Sequence, residues 1–110
     1  MKLPNAEYAR VERKKIVDYL LNPSHPDGWS KAEFFSAFGF RPDNWQVLAD
    51  ALRSHGQTRP VTRAVESAHG TRYTVEGQIE TPQGRRPRVR TVWIVERGGR
   101  APRLITAHPA

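Results

Sequence analysis

Acid–base chemistry without a metal needs a base, an acid and a cluster of cations or donors that stabilises the charged transition state. The chain carries such residue types in two groups far apart in sequence. The first is NPSHPDGWSKAEFF, Asn22 to Phe35, with His25 in a proline-rich loop, then Gly28, then Lys31 at the mouth of a predicted helix. The second spans RVRTVWIVE and RLITAH, with Arg88, Arg90, Thr91, Arg103 and Thr106. Histidine suits the proton steps because an imidazole titrates near working pH. Lys31 can serve as a cation or, if desolvated, as an acid. Arg88, Arg90 and Arg103 can grip phosphate through their planar donor forks, and Thr91 and Thr106 can donate hydrogen bonds.

Each residue also has a plain structural reading. His25, flanked by Pro23 and Pro26, can simply bond a loop carbonyl, and spacing alone favours that role. Lys31 in a helix's first turn opposes the macrodipole, and such local conflicts cluster at functional sites. His55 near a helix C-terminus suits the dipole as a structural residue. His69 falls in a turn, His108 in a frayed tail, and Trp93 fits a core position better than a base-stacking platform.

Other chemistries are excluded by what the chain lacks. It has no Cys, so no disulfide framework or thiolate metal site can form. There is no H-E-x-x-H and no histidine pair at helical metal spacing, so no metal is expected. No glycine-rich strand-to-helix loop and no G-x-S-x-G elbow occur, so no nucleotide cofactor or serine triad is expected either. Asp and Glu are scattered singly, unlike a two-metal nuclease or a carboxylate-pair glycosidase. The opening MKLPNAEYARVERKK has no apolar stretch resembling a signal peptide, and the apolar runs are too short for a bilayer. A soluble, cytoplasmic protein without membrane contact is the expectation.

The net charge is +7, and it is unevenly placed. Residues 1–56 hold eight Lys/Arg against seven Asp/Glu, whereas residues 57–110 hold ten Arg, no Lys and four Glu. An all-Arg basic half suits bidentate phosphate recognition. A solvated basic sheet face accounts for the same charge equally well.

The elements that must position these groups follow from periodicity. Val11, Ile16, Val17, Leu20 and Leu21 predict a helix over Glu12 to Leu21, stopped by Pro23. Ser30 and Glu33 form a capping-box pattern for a second helix with Ala32, Phe35 and Phe38 on its apolar face, ended by Gly39. Asp43 is the expected cap of a third, whose stripe is Trp45, Leu48, Ala49 and Leu52 and whose end is Gly56. After Gly56 the period changes to two. VTRAVES, TRYTVEGQIE, RVRTVWIVE and RLITAH predict four strands, with Gly70–Thr81 and Arg88–Glu96 joined through TPQGRRP as a hairpin. The strand RVRTVWIVE is apolar on both faces for half its length, which predicts a central place in its sheet. The fold class is α+β: one domain, 1–110, with N-terminal helices (about 10–56) on one face of a four-stranded antiparallel sheet (about 58–108).

YLLNPSHPDGWSKAEFFSAFGF and GTRYTVEGQIETPQGRRPRVRTVWIVERGGRAPRLITAHP together resemble an uncharacterised bacterial domain family. It occurs as small stand-alone proteins, as the C-terminal tip of polymorphic toxins and in phage-head-like fusions. The likeness runs from about Tyr19 to Pro109 and rests on HP-x-G-x-x-KA, GF, T-x-W and PRL-x-TA. It implies an effector, commonly a ribonuclease of the barnase–EndoU–colicin–RelE-like fold, with helices before a four-stranded antiparallel sheet. The shared positions are His25, Gly28 and Lys31, then Arg90, Thr91, Trp93, Arg103, Leu104 and Thr106. Trp29 and the Arg-rich hairpin depart from the toxin-tip pattern.

The resulting expectation is a metal-independent endoribonuclease-like toxin module. Its catalytic residues would be His25, Lys31, Arg90, Thr91 and Thr106, and its RNA-binding residues Arg85, Arg86, Arg88, Arg103 and Trp93. Its partners would be RNA and a cognate acidic antitoxin or immunity protein. The alternatives are a non-catalytic RNA-binding or immunity-type module, which the positive charge disfavours in its antitoxin version, and a structural accessory of a phage-like particle.

Overall fold

The period-two half forms the sheet expected of it. A computed structural model describes residues 1–110, with β1 (Val61–Ser67), β2 (Gly70–Gln78), β3 (Arg88–Glu96) and β4 (Arg103–Pro109) in one antiparallel sheet of order β1-β2-β3-β4. The strand β3 is central, as its two apolar faces require. Alternation sends Val89, Thr91 and Trp93 of β3, Val75 of β2, and Leu104 and Ala107 of β4 into the core. Arg72, Thr74 and Glu76 of β2 and Arg88, Arg90, Val92 and Ile94 of β3 lie on the other face, which no helix covers. His108 pairs with Arg90 within β4, so the expected frayed tail is instead ordered strand.

Three helical segments cover the core face. The first, α1 (Arg13–Lys15), is a single turn that widens into a π-helical turn, Ile16–Leu20, closed by Leu21 N–H to the Ile16 carbonyl at 2.8 Å. The extra residue per turn lets consecutive Leu20 and Leu21 both bury beside Ile16. The second, α2 (Trp29–Ala37), begins one residue before the predicted capping box, and neither Ser30 nor Glu33 makes a cap bond. Gly39 ends it in a left-handed turn, φ 94°. The third, α3 (Trp45–Thr58), follows a 3₁₀ turn, Pro42–Asn44. Asp43 bonds Arg41 at 3.1 Å instead of capping.

Gly56 does not end α3. It lies in the helix because the ring of Trp93 packs where a Cβ would stand. One residue earlier, His55 is 2 % exposed and joins three strand positions. The Trp93 indole N–H donates to Thr91 Oγ1 at 2.8 Å, Thr91 Oγ1 meets His55 Nδ1 at 3.0 Å, and His55 Nε2 meets the Gly77 carbonyl at 3.0 Å. A carbonyl only accepts, so Nε2 carries the proton and Nδ1 accepts from the threonine hydroxyl. Every donor in this buried chain is therefore used once.

Burial pushes His55 below the ordinary histidine value, against the opposing pull of the Gly77 and Val89 carbonyls. The folded state thus favours neutral His55, and its contribution is complete above the unfolded value of 6.5. It is lost as pH falls from there toward the depressed folded value, because the unfolded chain takes up the proton first. Urea unfolding from pH 8 to pH 5 should show wild-type stability falling on the acid side, by at most about 1.4 kcal/mol per pH unit from this group. His55→Gln should be less stable at pH 8 and its pH curve flatter; a parallel curve would remove His55 as the source.

Candidate functional site

Two clefts carry chemistry-bearing side chains, one at the β4 edge and one on the open sheet face. The β4-edge cleft, about 570 Å³, is lined by Lys15, Tyr19, His25 and Asp27 opposite Arg103 and Thr106. Tyr19 is its centre. The Tyr19 hydroxyl lies 2.9 Å from Thr106 Oγ1, and the His25 ring meets the Tyr19 ring edge-on at 4.9 Å. Lys15 and Lys31 place their ammonium groups 5.3 and 5.5 Å from the ring centroid. In β4, Ile105 is the extra residue of a bulge opposite Val92/Trp93, a device that re-aims side chains at a sheet edge.

The His25 loop is held tightly against this tyrosine. His25 Nδ1 accepts the backbone N–H groups of Asp27 and Gly28, each at 3.0 Å. In the neutral ring Nε2 must therefore bear the proton. The loop fits because residue 28 is glycine: a Cβ there would stand 2.5 Å from the Tyr19 carbonyl oxygen. Lys31 Nζ donates to the Asp27 carbonyl at 3.0 Å, closing the same turn.

The open-face groove, about 460 Å³, is lined by Thr62, Arg63, Thr74, Glu76, Arg90, Val92 and His108. Glu76, Arg90 and His108 form one cross-strand row, since Glu76 pairs with Arg90 and Arg90 with His108. Arg90 Nε lies 3.2 Å from Glu76 Oε2, which also accepts from Thr62 Oγ1 at 3.3 Å. The Arg90 hydrogen bond holds the Glu76 carboxyl below the usual carboxylate range. His108 Nδ1 lies 3.1 Å from the Pro109 carbonyl, so Nδ1 donates and Nε2 is left to exchange a proton. Strand spacing sets the carboxylate and imidazole positions roughly 10 Å apart at the backbone, with the guanidinium between them.

Of the residues expected to be catalytic, the structure brings His25 and Thr106 into the β4-edge cleft, sets Lys31 outside its lining against the Tyr19 ring, and puts Arg90 on the open face. Thr91 is 0 % exposed within the His55 network. It faces the core and has its hydroxyl fully used, which corrects its assignment as a substrate donor. Trp93 is likewise 0 % exposed, packed on Gly56, and corrects its assignment to RNA binding. Arg103 lines the first cleft with Glu96 on its guanidinium at 2.7 Å, a bond that lowers the Glu96 pKa. Arg88 is exposed on the open face, while Arg85 and Arg86 sit in the β2–β3 loop, Arg86 paired with Glu80.

Residues 2–110 match the family model described as a domain of unknown function, DUF6883. The chain belongs to that family. No curated protein matches it. The DUF6883 chain is similar in structure to one from a contact-dependent growth inhibition toxin–immunity protein complex of Klebsiella pneumoniae 342. The TM-score is 0.73 at 21 % identity, over 94 % of this chain and 95 % of that one. At that identity the likeness establishes a shared fold. No helix of this DUF6883 domain is long and apolar enough to cross a membrane.

Sequence reasoning missed Tyr19, Lys15, Glu76 and His108. Lys15 and Tyr19 are spaced i, i+4 on one helix face, a signal that the stronger apolar stripe masks. Glu76 and His108 become partners of Arg90 only through strand register, which no local motif announces.

The Gly28 contact gives a stability test for this DUF6883 site. Gly28→Ala should lower stability by about 1–3 kcal/mol in urea or thermal melts, since the obstructing atom is backbone and cannot swing away. An unchanged or raised melting point would show that the loop does not depend on close approach to Tyr19.

Proposed function

We propose that the chain is a small toxin module that cleaves RNA without a metal ion, on the open face of its sheet. The reading is supported by the row Glu76–Arg90–His108, which sets a carboxylate, a guanidinium and a histidine with a free Nε2 side by side. In the mechanism, Glu76 takes the proton of the 2′-hydroxyl as that oxygen attacks phosphorus. Arg90 turns its donors to the phosphate, which frees Glu76 from its hydrogen bond as the proton arrives. Protonated His108 gives its Nε2 proton to the departing 5′-oxygen. The products are a 2′,3′-cyclic phosphate and a free 5′-hydroxyl.

This reading moves the acid–base work away from His25, whose Nδ1 is committed to two backbone donors and whose Nε2 is already protonated when neutral. A base at Nε2 would need Nδ1 protonated and the turn broken. The β4-edge cleft serves as a grip for the strand, with Lys15, Lys31 and Arg103 around Tyr19. The structural neighbour's complex pairs a toxin with an immunity protein. As the toxin of such a pair, this chain would meet a cognate acidic immunity protein that covers this basic face and blocks the row. The rival reading, a non-catalytic RNA-binding or immunity-type module, leaves the row without a task. In its immunity form it also conflicts with a charge of +7.

Glu76→Gln and His108→Ala should each lower RNA cleavage by roughly 10²–10⁴-fold, with melting little changed because neither side chain is in the core. His25→Ala and Lys31→Ala should weaken substrate binding more than turnover. A substrate whose 5′-nucleoside is replaced by a nitrophenyl leaving group needs no acid, so it should restore most of the activity of His108→Ala and none of that of Glu76→Gln. Cleavage that survives both row variants and vanishes in His25→Ala and Lys31→Ala would return the chemistry to the β4-edge cleft.

A further inference from the structure

Successive rows on the open face are about 7 Å apart along the strands. Two rows from Glu76–Arg90–His108, Arg72, Ile94 and Arg103 are register partners. A groove of about 620 Å³ opens there, lined by His69, Arg72, Ile94, Arg97, Arg103 and Ile105 among others. Two isoleucines line it. Ile94 is only 6 % exposed, although it lies outside the core cluster and on the face that no helix covers. Ile105 of the β4 bulge lies beside it. Its rim holds three arginines and one carboxylate, Glu96. Arg103 is tied to Glu96 at 2.7 Å, whereas Arg72 and Arg97 are exposed and make no ion pair.

We propose that this groove is a nucleotide subsite, which holds a base and phosphate of the RNA strand beyond the two nucleotides that flank the cleaved bond. It rests on the ribonuclease reading of the neighbouring row. Two isoleucines beside the unpaired guanidinium groups of Arg72 and Arg97 suit a nucleobase, because arginine planes stack on bases and their edges bond phosphate. The groove shares Arg103 and Ile105 with the β4-edge cleft, so a strand leaving the row crosses this subsite on its way to Lys15. An acidic peptide would use the rim and leave the isoleucines uncovered, which favours the nucleotide.

The test compares a dinucleotide with a pentanucleotide that contains the same scissile step. The dinucleotide occupies the row alone; the longer strand reaches the subsite. Wild type should cleave the pentanucleotide with the higher kcat/KM, and Arg72→Ala/Arg97→Ala should lose that preference by roughly 5- to 100-fold, the range for one stacked base. The loss should lie in KM, with dinucleotide cleavage unchanged. A preference that survives the double variant, or an equal loss on both substrates, overturns the subsite. Binding of a pentanucleotide carrying a 2′-deoxy at the cleaved position separates this proposal from the chemistry. If no RNA is cleaved but the double variant still binds this probe roughly 5- to 100-fold more weakly, the subsite stands and the catalytic row falls. If probe binding is unchanged while capture of an acidic immunity protein is lost, the groove is a protein interface and the subsite falls.

Discussion

Strand register in β2, β3 and β4 is the constraint on which the rest of the molecule depends. A slip of one residue would exchange the two faces of a strand, taking Arg90 into the core and Thr91 out of it. The chain from Trp93 through Thr91 and His55 to the Gly77 carbonyl fixes the register from beneath. Its strand partners are the immediate neighbours of the row above: Gly77 follows Glu76, and Thr91 follows Arg90. A buried histidine that never meets solvent thereby positions a carboxylate and a guanidinium that do. The cost of leaving any of its polar atoms unpaired makes a slipped sheet much less stable.

The two histidines outside the core show how a backbone contact decides what an imidazole can do. His25 accepts two N–H groups at Nδ1, and His108 lies against a carbonyl at Nδ1. The first arrangement fixes a turn and leaves only a donor at Nε2. The second leaves Nε2 able to take and give a proton. His25, in a loop of prolines and glycine, has its Nδ1 committed to that turn. His108, expected in a frayed tail, lies in a strand beside Arg90.

What was legible in the sequence was whatever local periodicity encodes. The alternation in VTRAVES and RVRTVWIVE marked β1 and β3 at their observed ends, and Leu48, Ala49 and Leu52 marked the buried face of α3. Caps and ends were less legible, because packing overrides them. Gly56 has the signature of a helix stop, yet the helix runs through it to admit the Trp93 ring. Ser30 and Glu33 have the spacing of a capping box, yet Gly28 and the His25 ring organise that terminus. The candidate site was only half legible. His25, Lys31 and Thr106 do meet, across Tyr19, but Glu76 and His108 are brought to Arg90 by pairings spread over three strands.

The proposed metal-independent attack by the 2′-hydroxyl on the open face leaves distinctive RNA ends. Its most direct test is the identity of the ends left on end-labelled RNA incubated with the purified chain in excess EDTA. The expected fragments end in a 2′,3′-cyclic phosphate, or its 3′-phosphate hydrolysis product, each followed by a fragment with a free 5′-hydroxyl. Fragments with 5′-phosphate ends, or cleavage that appears only when a divalent ion is restored, would contradict it.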